Sequence, residues 1–113
     1  MNFEDIDATS CPVEIIAIIV GKKWIPTIIF ALEERSLRLG ELQRKVPECS
    51  KKILIQQLNL LIENKILKNE KIIKHNTIES YYSLTEYGLK LIPILNSIKL
   101  LGCEYLKISD EEK

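Results

Sequence analysis

Histidine occurs once in this chain of 113 residues, at His75, and a lone imidazole argues against a histidine-based metal site or a catalytic triad. Cysteine is scarce as well. Cys11, Cys49 and Cys103 are an odd number with no CxxC pair, which disfavours a disulfide framework or a zinc centre. No apolar run approaches the length that crosses a bilayer. The opening MNFEDIDATS is acidic and lacks the basic region and apolar core of a signal peptide. No internal repeat or low-complexity segment interrupts the chain. No general base or oxyanion motif accompanies any cysteine, so a cysteine-dependent enzyme is disfavoured. The expectation is a cytoplasmic, non-enzymatic protein with reduced thiols, no metal, no cofactor and no membrane partner.

Net charge is lacking too, with 16 basic and 16 acidic residues, but the distribution is uneven. Between positions 35 and 74, ten basic residues face four acids, leaving +6. The compensating acids crowd the two ends: Glu4, Asp5, Asp7 and Glu14 at one, Asp110, Glu111 and Glu112 at the other. The length fits one domain, 1–113, with residues 1–10 expected to be flexible. A monomer of this size covers only part of its apolar surface, so burial shared in a dimer would help.

Along the chain, Pro12 and Glu14 suit the first turn of a helix that Gly21 ends. Its sequence, VEIIAIIV, is apolar on nearly every side and predicts burial on more than one face. A second helix is expected over 24–34, with Pro26 in its first turn and Ile25, Ile28, Ile29 and Leu32 as its core stripe. A short strand at 37–39 precedes a brief helix at 41–45 and a turn, Val46-Pro47-Glu48-Cys49. Ser50 is a good N-cap for a longer helix over 51–64. Leu54, Leu58, Leu61 and Ile62 should face inward. Lys51, Lys52, Ile55, Gln56 and Asn59 fall on or near the opposite face. Strands are expected at 66–73 and 78–84, joined by Lys74-His75-Asn76-Thr77. Thr85 caps a final helix over 86–107, where Leu84 can staple onto Leu89 and Pro93 should bend the axis near Leu89.

Short helix, tight turn, longer helix and hairpin describe a helix-turn-helix over 40–64 with a wing over 66–84. The fold class is mainly α with a small β-hairpin wing. A local positive field on this motif points to double-stranded DNA. Ser50, Lys51 and Lys52 sit where backbone N–H groups and the helix dipole favour a phosphate, although many capped surface helices start the same way. Gln56 can offer a bidentate pair to adenine, and Asn59 shares its face. Ile55 either touches a thymine methyl or packs inside. Arg38 joins the basic surface, and Lys71, Lys74, His75 and Asn76 lie where a wing tip reaches flanking backbone or minor groove. The rival reading is a winged-helix module that binds protein, motivated by the acidic termini and by the lack of arginine on the recognition helix.

In this order and spacing the chain resembles the HxlR family of winged helix-turn-helix transcription regulators, which is related to the MarR group. The residues that carry the resemblance are CPVE at 11–14, GKKW at 21–24, GEL at 40–42, SKKIL at 50–54, Leu58 with Leu61, and YSLTEYG at 82–88, with Pro93 and Leu95 in the last helix. The resemblance implies a homodimer on an inverted-repeat operator, built through N- and C-terminal helices at 11–20 and 86–107. Val13, Ile16, Ile94, Leu95, Ile98, Leu101 and Tyr105 are the candidate interface residues. The chain departs from the family pattern at Lys74-His75-Asn76-Thr77, where a Pro-Pro pair is usual, and at Ile55, Gln57, Asn59 and Leu101-Gly102.

Cys11 is the candidate redox residue, since a sulfur at a helix start sits in the positive end of the dipole, where oxidation is favoured. Some relatives implied by the resemblance sense oxidants or electrophiles at this position, so an oxidant or small-molecule effector is a candidate partner. A buried, inert cysteine is the alternative. Cys49 is either its second thiol or a plain turn residue, and Cys103 reads as a packing residue. Trp24 reads as a core or interface anchor.

Overall fold

Proline and glycine set the first boundaries of the chain. In the computed structural model, which describes residues 11–111 and side-chain surroundings through 108, helix α1 spans Pro12–Val20. Gly21 follows as its C-cap, donating its N–H to the Ala17 carbonyl at 2.9 Å. Helix α2 spans Ile25–Ala31, shorter at both ends than its apolar pattern predicts. Trp24 has φ 77°, a left-handed conformation that stops it from joining the helix. At the other end the Glu33 N–H donates to Phe30 at 3.2 Å, so the last turn tightens and the chain leaves for the sheet.

Strand β1 is Leu37–Arg38, and helix α3, Leu39–Lys45, begins two residues ahead of the expected Glu41. The Glu41 carboxylate accepts the Arg38 N–H at 3.1 Å, and this bond at the helix mouth lets the chain turn helical earlier. Helix α4, Lys51–Glu63, starts at Ser50, whose hydroxyl oxygen accepts the Ile53 N–H at 3.2 Å. It ends in a Schellman arrangement without glycine. Lys65 takes φ 63°, its N–H reaches the Ile62 carbonyl at 3.1 Å, and the Ile66 N–H reaches Leu61 at 2.9 Å.

Strands β2, Leu67–Lys74, and β3, Thr77–Leu84, form the expected hairpin. Together with β1 they make an antiparallel sheet of order β1-β3-β2. The connection is two residues long, and His75 (φ 48°) and Asn76 (φ 66°) both take the left-handed conformation of a type I′ turn. Helix α5, Glu86–Leu89, and helix α6, Leu91–Glu111, replace the single bent helix. Pro93 has no N–H for the Leu89 carbonyl, so the helix breaks at Lys90 and restarts with Pro93 in its first turn. Leu84 is buried and lies against Gly88, while Leu89, its expected staple partner, stays 46% exposed because α5 ends there.

The core gathers Ile25, Ile28 and Ile29 of α2, Leu42 of α3, Leu54, Leu58 and Leu61 of α4, Leu37, Leu67 and Leu84 of the sheet, and Leu91, Ile92 and Leu95 of α6. Ile62 is only half-buried and packs against its margin. Contrary to its apolar sequence, α1 buries only Ile19 within the protomer, and Val13 is 75% exposed. From Ser97 to Ile108 every residue of α6 is exposed. These two helices carry apolar faces that the described residues leave uncovered.

Gly88 packs so closely on the backbone carbonyl of Ile66 that an added Cβ would collide with it. Gly88→Ala should therefore destabilise the domain by about 1–3 kcal/mol, the usual range for overpacking. Thermal unfolding should show a melting point several degrees lower; an unchanged one would mean that the contact relaxes freely.

Candidate nucleic-acid interface

The cap on Ser50 aims the first turn of α4 outward. Leu54, Leu58 and Leu61 occupy the inward face, which leaves Lys51, Lys52, Gln56 and Asn59 exposed, with Lys52, Gln56 and Asn59 together opposite the core. Ile55 is half-buried at the edge of this face. The Gln57 side-chain oxygen is buried with no hydrogen-bond partner among the described residues. At the hairpin tip Lys71, Lys74, His75 and Asn76 are exposed, and Thr77 Oγ1 donates to the Lys74 carbonyl at 2.7 Å, which stiffens the turn.

A charge network that sequence reasoning missed joins the wing to α3. Arg38 is exposed and lies 3.5 Å from Glu41 and 3.7 Å from Glu79. Glu79 also faces Lys74 Nζ at 3.9 Å and accepts the Tyr81 hydroxyl at 2.7 Å. Arg35 approaches Glu41 from the other side at 3.5 Å. Strand alternation carried only half of the signal, and the register of β1 on β3 supplies the rest. Glu79 and Tyr81 share one face of β3, and Arg38 pairs with Tyr81 across β1. The Arg38 N–H, assisted by the guanidinium groups of Arg38 and Arg35, holds the Glu41 carboxyl below its ordinary range against a smaller opposing effect of burial. A depressed carboxyl favours the folded arrangement above its ordinary pKa, and that contribution fades as pH falls through the lower folded value.

The cysteines separate clearly. Cys11 is exposed at the mouth of α1 with its backbone in the N-cap conformation. Cys49 is buried in the helix-turn-helix turn, where desolvation raises its thiol pKa and Lys23 only partly offsets it. Cys103 is exposed on α6, not packed as its position suggested, because this part of α6 extends beyond the protomer core. Next to Cys11, Pro12, Val13, Ile16, Ala17 and Val20 of α1 and Ile98 of α6 line an apolar groove of about 520 Å³. Ile94, Ile98, Leu101 and Tyr105 are exposed along α6. Leu95 is not available with them: it is 4% exposed and belongs to the protomer's own core, since it turns toward the same side as Leu91. Trp24 is half-buried against the core with Lys23 Nζ 4.9 Å from its ring centre. Among the described residues, no helix is long and apolar enough to cross a membrane.

An exposed helix beside a rigid two-stranded wing is the geometry of a DNA reader, and comparison with known proteins decides the family. Residues 19–110 match the family described as HxlR-like helix-turn-helix. The chain belongs to that family. It is 33% identical over 96 residues to the HTH-type transcriptional regulator YkvN of Bacillus subtilis, spanning 85% of this chain and 80% of that protein. It is 26% identical over 110 residues to the HTH-type transcriptional regulator YodB of the same organism, spanning 93% and 97%. The structure of the redox regulator HypR in its reduced form superposes with a TM-score of 0.80 at 27% identity, covering 89% of this chain and 99% of that one. The fold is thus a winged helix-turn-helix, and the protein is a DNA-binding transcription regulator like these relatives.

Proposed function

We propose that two copies of this chain form a homodimer through α1 and α6 and place their α4 helices in successive major grooves of an inverted-repeat operator. The observation that carries the reading is the exposed face of α4: a capped N-terminus with two lysines, followed by Gln56 and Asn59 opposite a fully buried leucine stripe. Lys51 and Lys52 neutralise phosphates, assisted by the Ser50 cap and the helix dipole. Gln56 and Asn59 meet base edges, and Ile55 approaches a thymine methyl from the side of the helix. Arg38 and the wing residues Lys71, Lys74, His75 and Asn76 hold the flanking duplex. Two-fold symmetry puts the half-sites about 10 bp apart or a multiple of that.

The apolar surface left open on one protomer supports the dimer. The groove lined by Val13, Ile16 and Ile98 and the exposed Ile94, Leu101 and Tyr105 form a continuous apolar surface for a symmetric contact. A second reading concerns control. Cys11 adjoins this groove and is accessible, and the relatives include HypR, known in a reduced and an oxidised form, and a diamide-treated YodB. Oxidation of Cys11 would place a polar group or a cross-link beside the dimer contact and turn one recognition helix against the other. Cys49 can act as second thiol only where its turn opens, because its sulfur is buried. The protein is read as acting in the cytoplasm, where such thiols are kept reduced.

Binding to duplex DNA should weaken steeply as salt rises. Lys51→Ala or Lys52→Ala should flatten that dependence by roughly 0.9 in log–log slope for each phosphate left without its lysine. Gln56→Ala should instead relax preference at one base position, at about 1–3 kcal/mol for a bidentate contact. Fluorescence anisotropy on duplexes selected from a random pool checks all three. Variants that bind like the parent would show that α4 is not the reading helix.

The parent should sediment as a dimer at micromolar concentration, and Ile98→Glu should shift it toward monomer by setting an unpaired charge in an apolar contact. A parent that stays monomeric throughout would remove the dimer from this account.

Diamide should change operator affinity of the parent and not of Cys11→Ser, while Cys49→Ser reports whether the buried thiol takes part. If mass spectrometry finds Cys11 modified and affinity is unaltered, thiol control does not operate in this protein.

A further inference from the structure

We infer that Ile73 and Ile78 at the wing tip form an apolar wedge that enters the minor groove beside each half-site and bends the duplex there. This rests on the DNA-binding reading above and adds to it a pair of residues that select flanking sequence by its deformability. The two isoleucines sit directly opposite each other across the hairpin, one pair in from Lys74 and Thr77, and are 76% and 69% exposed. They continue the hairpin face that at its base carries the buried Leu67 and Leu84. That face therefore runs past the edge of the core and presents an apolar pair that the described part of the protomer leaves uncovered.

Strand propensity accounts for β-branched residues at these positions but not for the absence of a hydroxyl; threonine would satisfy the strand equally and remain hydrated. Charge separates the two faces of the hairpin. Lys71 is the only charged side chain of β2 and β3 on the isoleucine face, and it forms no ion pair among the described residues. The hairpin's acids, Glu70 and Glu79, both lie on the other face, where Glu70 pairs with Lys68 at 3.4 Å and Glu79 with Arg38 and Lys74. An apolar pair with a cation beside it and no acid on its own face fits a groove with sugar walls and phosphate rims. The two-residue turn closed by Thr77 keeps the tip rigid, as a wedge that parts base pairs needs. Apolar residues at the ends of β-ribbons and loops are an established means of unstacking a step from the minor groove, and flexible pyrimidine–purine steps yield most readily.

The test uses full-length protein and operator duplexes labelled at both ends for energy transfer, with bulk duplex DNA as competitor. The parent should bend the operator, and the double variant Ile73→Thr/Ile78→Thr should lose most of the bend. Its preference for operator over bulk DNA should fall by about tenfold, while the salt slope stays unchanged because every phosphate keeps its cation. A second measurement needs no variant: replacing TA or CA steps at the wing position with a stiff A-tract should weaken parent binding by a similar factor. A parent that binds its operator without bending it and without regard to the flanking steps would overturn the wedge and leave the DNA-binding reading in place. So would a folded double variant that bends and discriminates like the parent, and the isoleucine face would then belong to a protein contact. Failure of the parent to bind any duplex would remove both.

Discussion

The hydroxyl of Thr85 joins the three working parts of this molecule. It donates to the Lys65 carbonyl at 2.6 Å and accepts the Gly88 N–H at 2.9 Å, while the Thr85 N–H donates to Ile66 at 3.0 Å. Lys65 and Ile66 are the exit from α4, β3 ends just before Thr85, and Gly88 lies in α5. One residue therefore ties the end of the recognition helix, the base of the wing and the start of the segment that leads to α6. The tie is close because Gly88 has no Cβ to hold it away from Ile66. Lys65 accepts a left-handed backbone to make the turn, a strain of the order of 1 kcal/mol that the converging hydrogen bonds and the burial of Ile66 outweigh.

A second constraint is electrostatic. Most basic residues of the wing side, Lys71 apart, are paired with acids. Glu41 holds Arg35 and Arg38, and Glu79 holds Arg38 and Lys74, so cations that would otherwise sample many rotamers are partly arranged before DNA arrives. These pairs lie at the surface between exposed cations and half-buried acids, and each contributes little to stability in water. Their value lies in orientation. A phosphate with its full negative charge can displace Glu79 from Lys74 at 3.9 Å with small loss. Lys51 and Lys52 of α4 have no such acid partner among the described residues. In the proposed complex the helix would thus meet the backbone with free cations, while on the wing side Arg38 and Lys74 would do so by exchange and Lys71 directly.

Much of this was legible in the sequence because local rules and burial agree. Ser50 followed by two lysines and a leucine stripe specifies α4 and its outward face at once. The β-branched runs at 66–73 and 78–84 specify the hairpin, and the two left-handed residues between them suit asparagine and histidine better than most. Local pattern fails where tertiary context rules. Leu95 looks like its neighbours in an apolar stripe, and only the break at Lys90 decides that it turns toward Leu91 and into the core. Cys103 looks like a packing residue because α6 is apolar, yet the helix leaves the core after Leu95. The Glu79 network lay hidden because Arg38 and Glu79 are far apart along the chain. Strand pairing brings them together, through Arg38 opposite Tyr81, and no local pattern announces that register.

The apolar faces that the described residues of α1 and α6 leave uncovered are what the proposed dimer accounts for. A side chain such as Ile98 or Leu101 on a protruding helix gains little by folding alone, and in the proposed dimer its burial would be deferred until a second copy arrives. Because α6 follows α5 after a one-residue break, and α5 is pinned to the end of α4, the proposed dimer contact and the proposed reading face are joined by a short path. In the proposed dimer, the angle at which two α6 helices pack would set the separation of two α4 helices. In that proposed assembly, a change beside the groove lined by Val13 and Ile98, whether a bound group, an oxidised Cys11 next to it or a substitution, would act on DNA binding through that angle and not through the base contacts themselves.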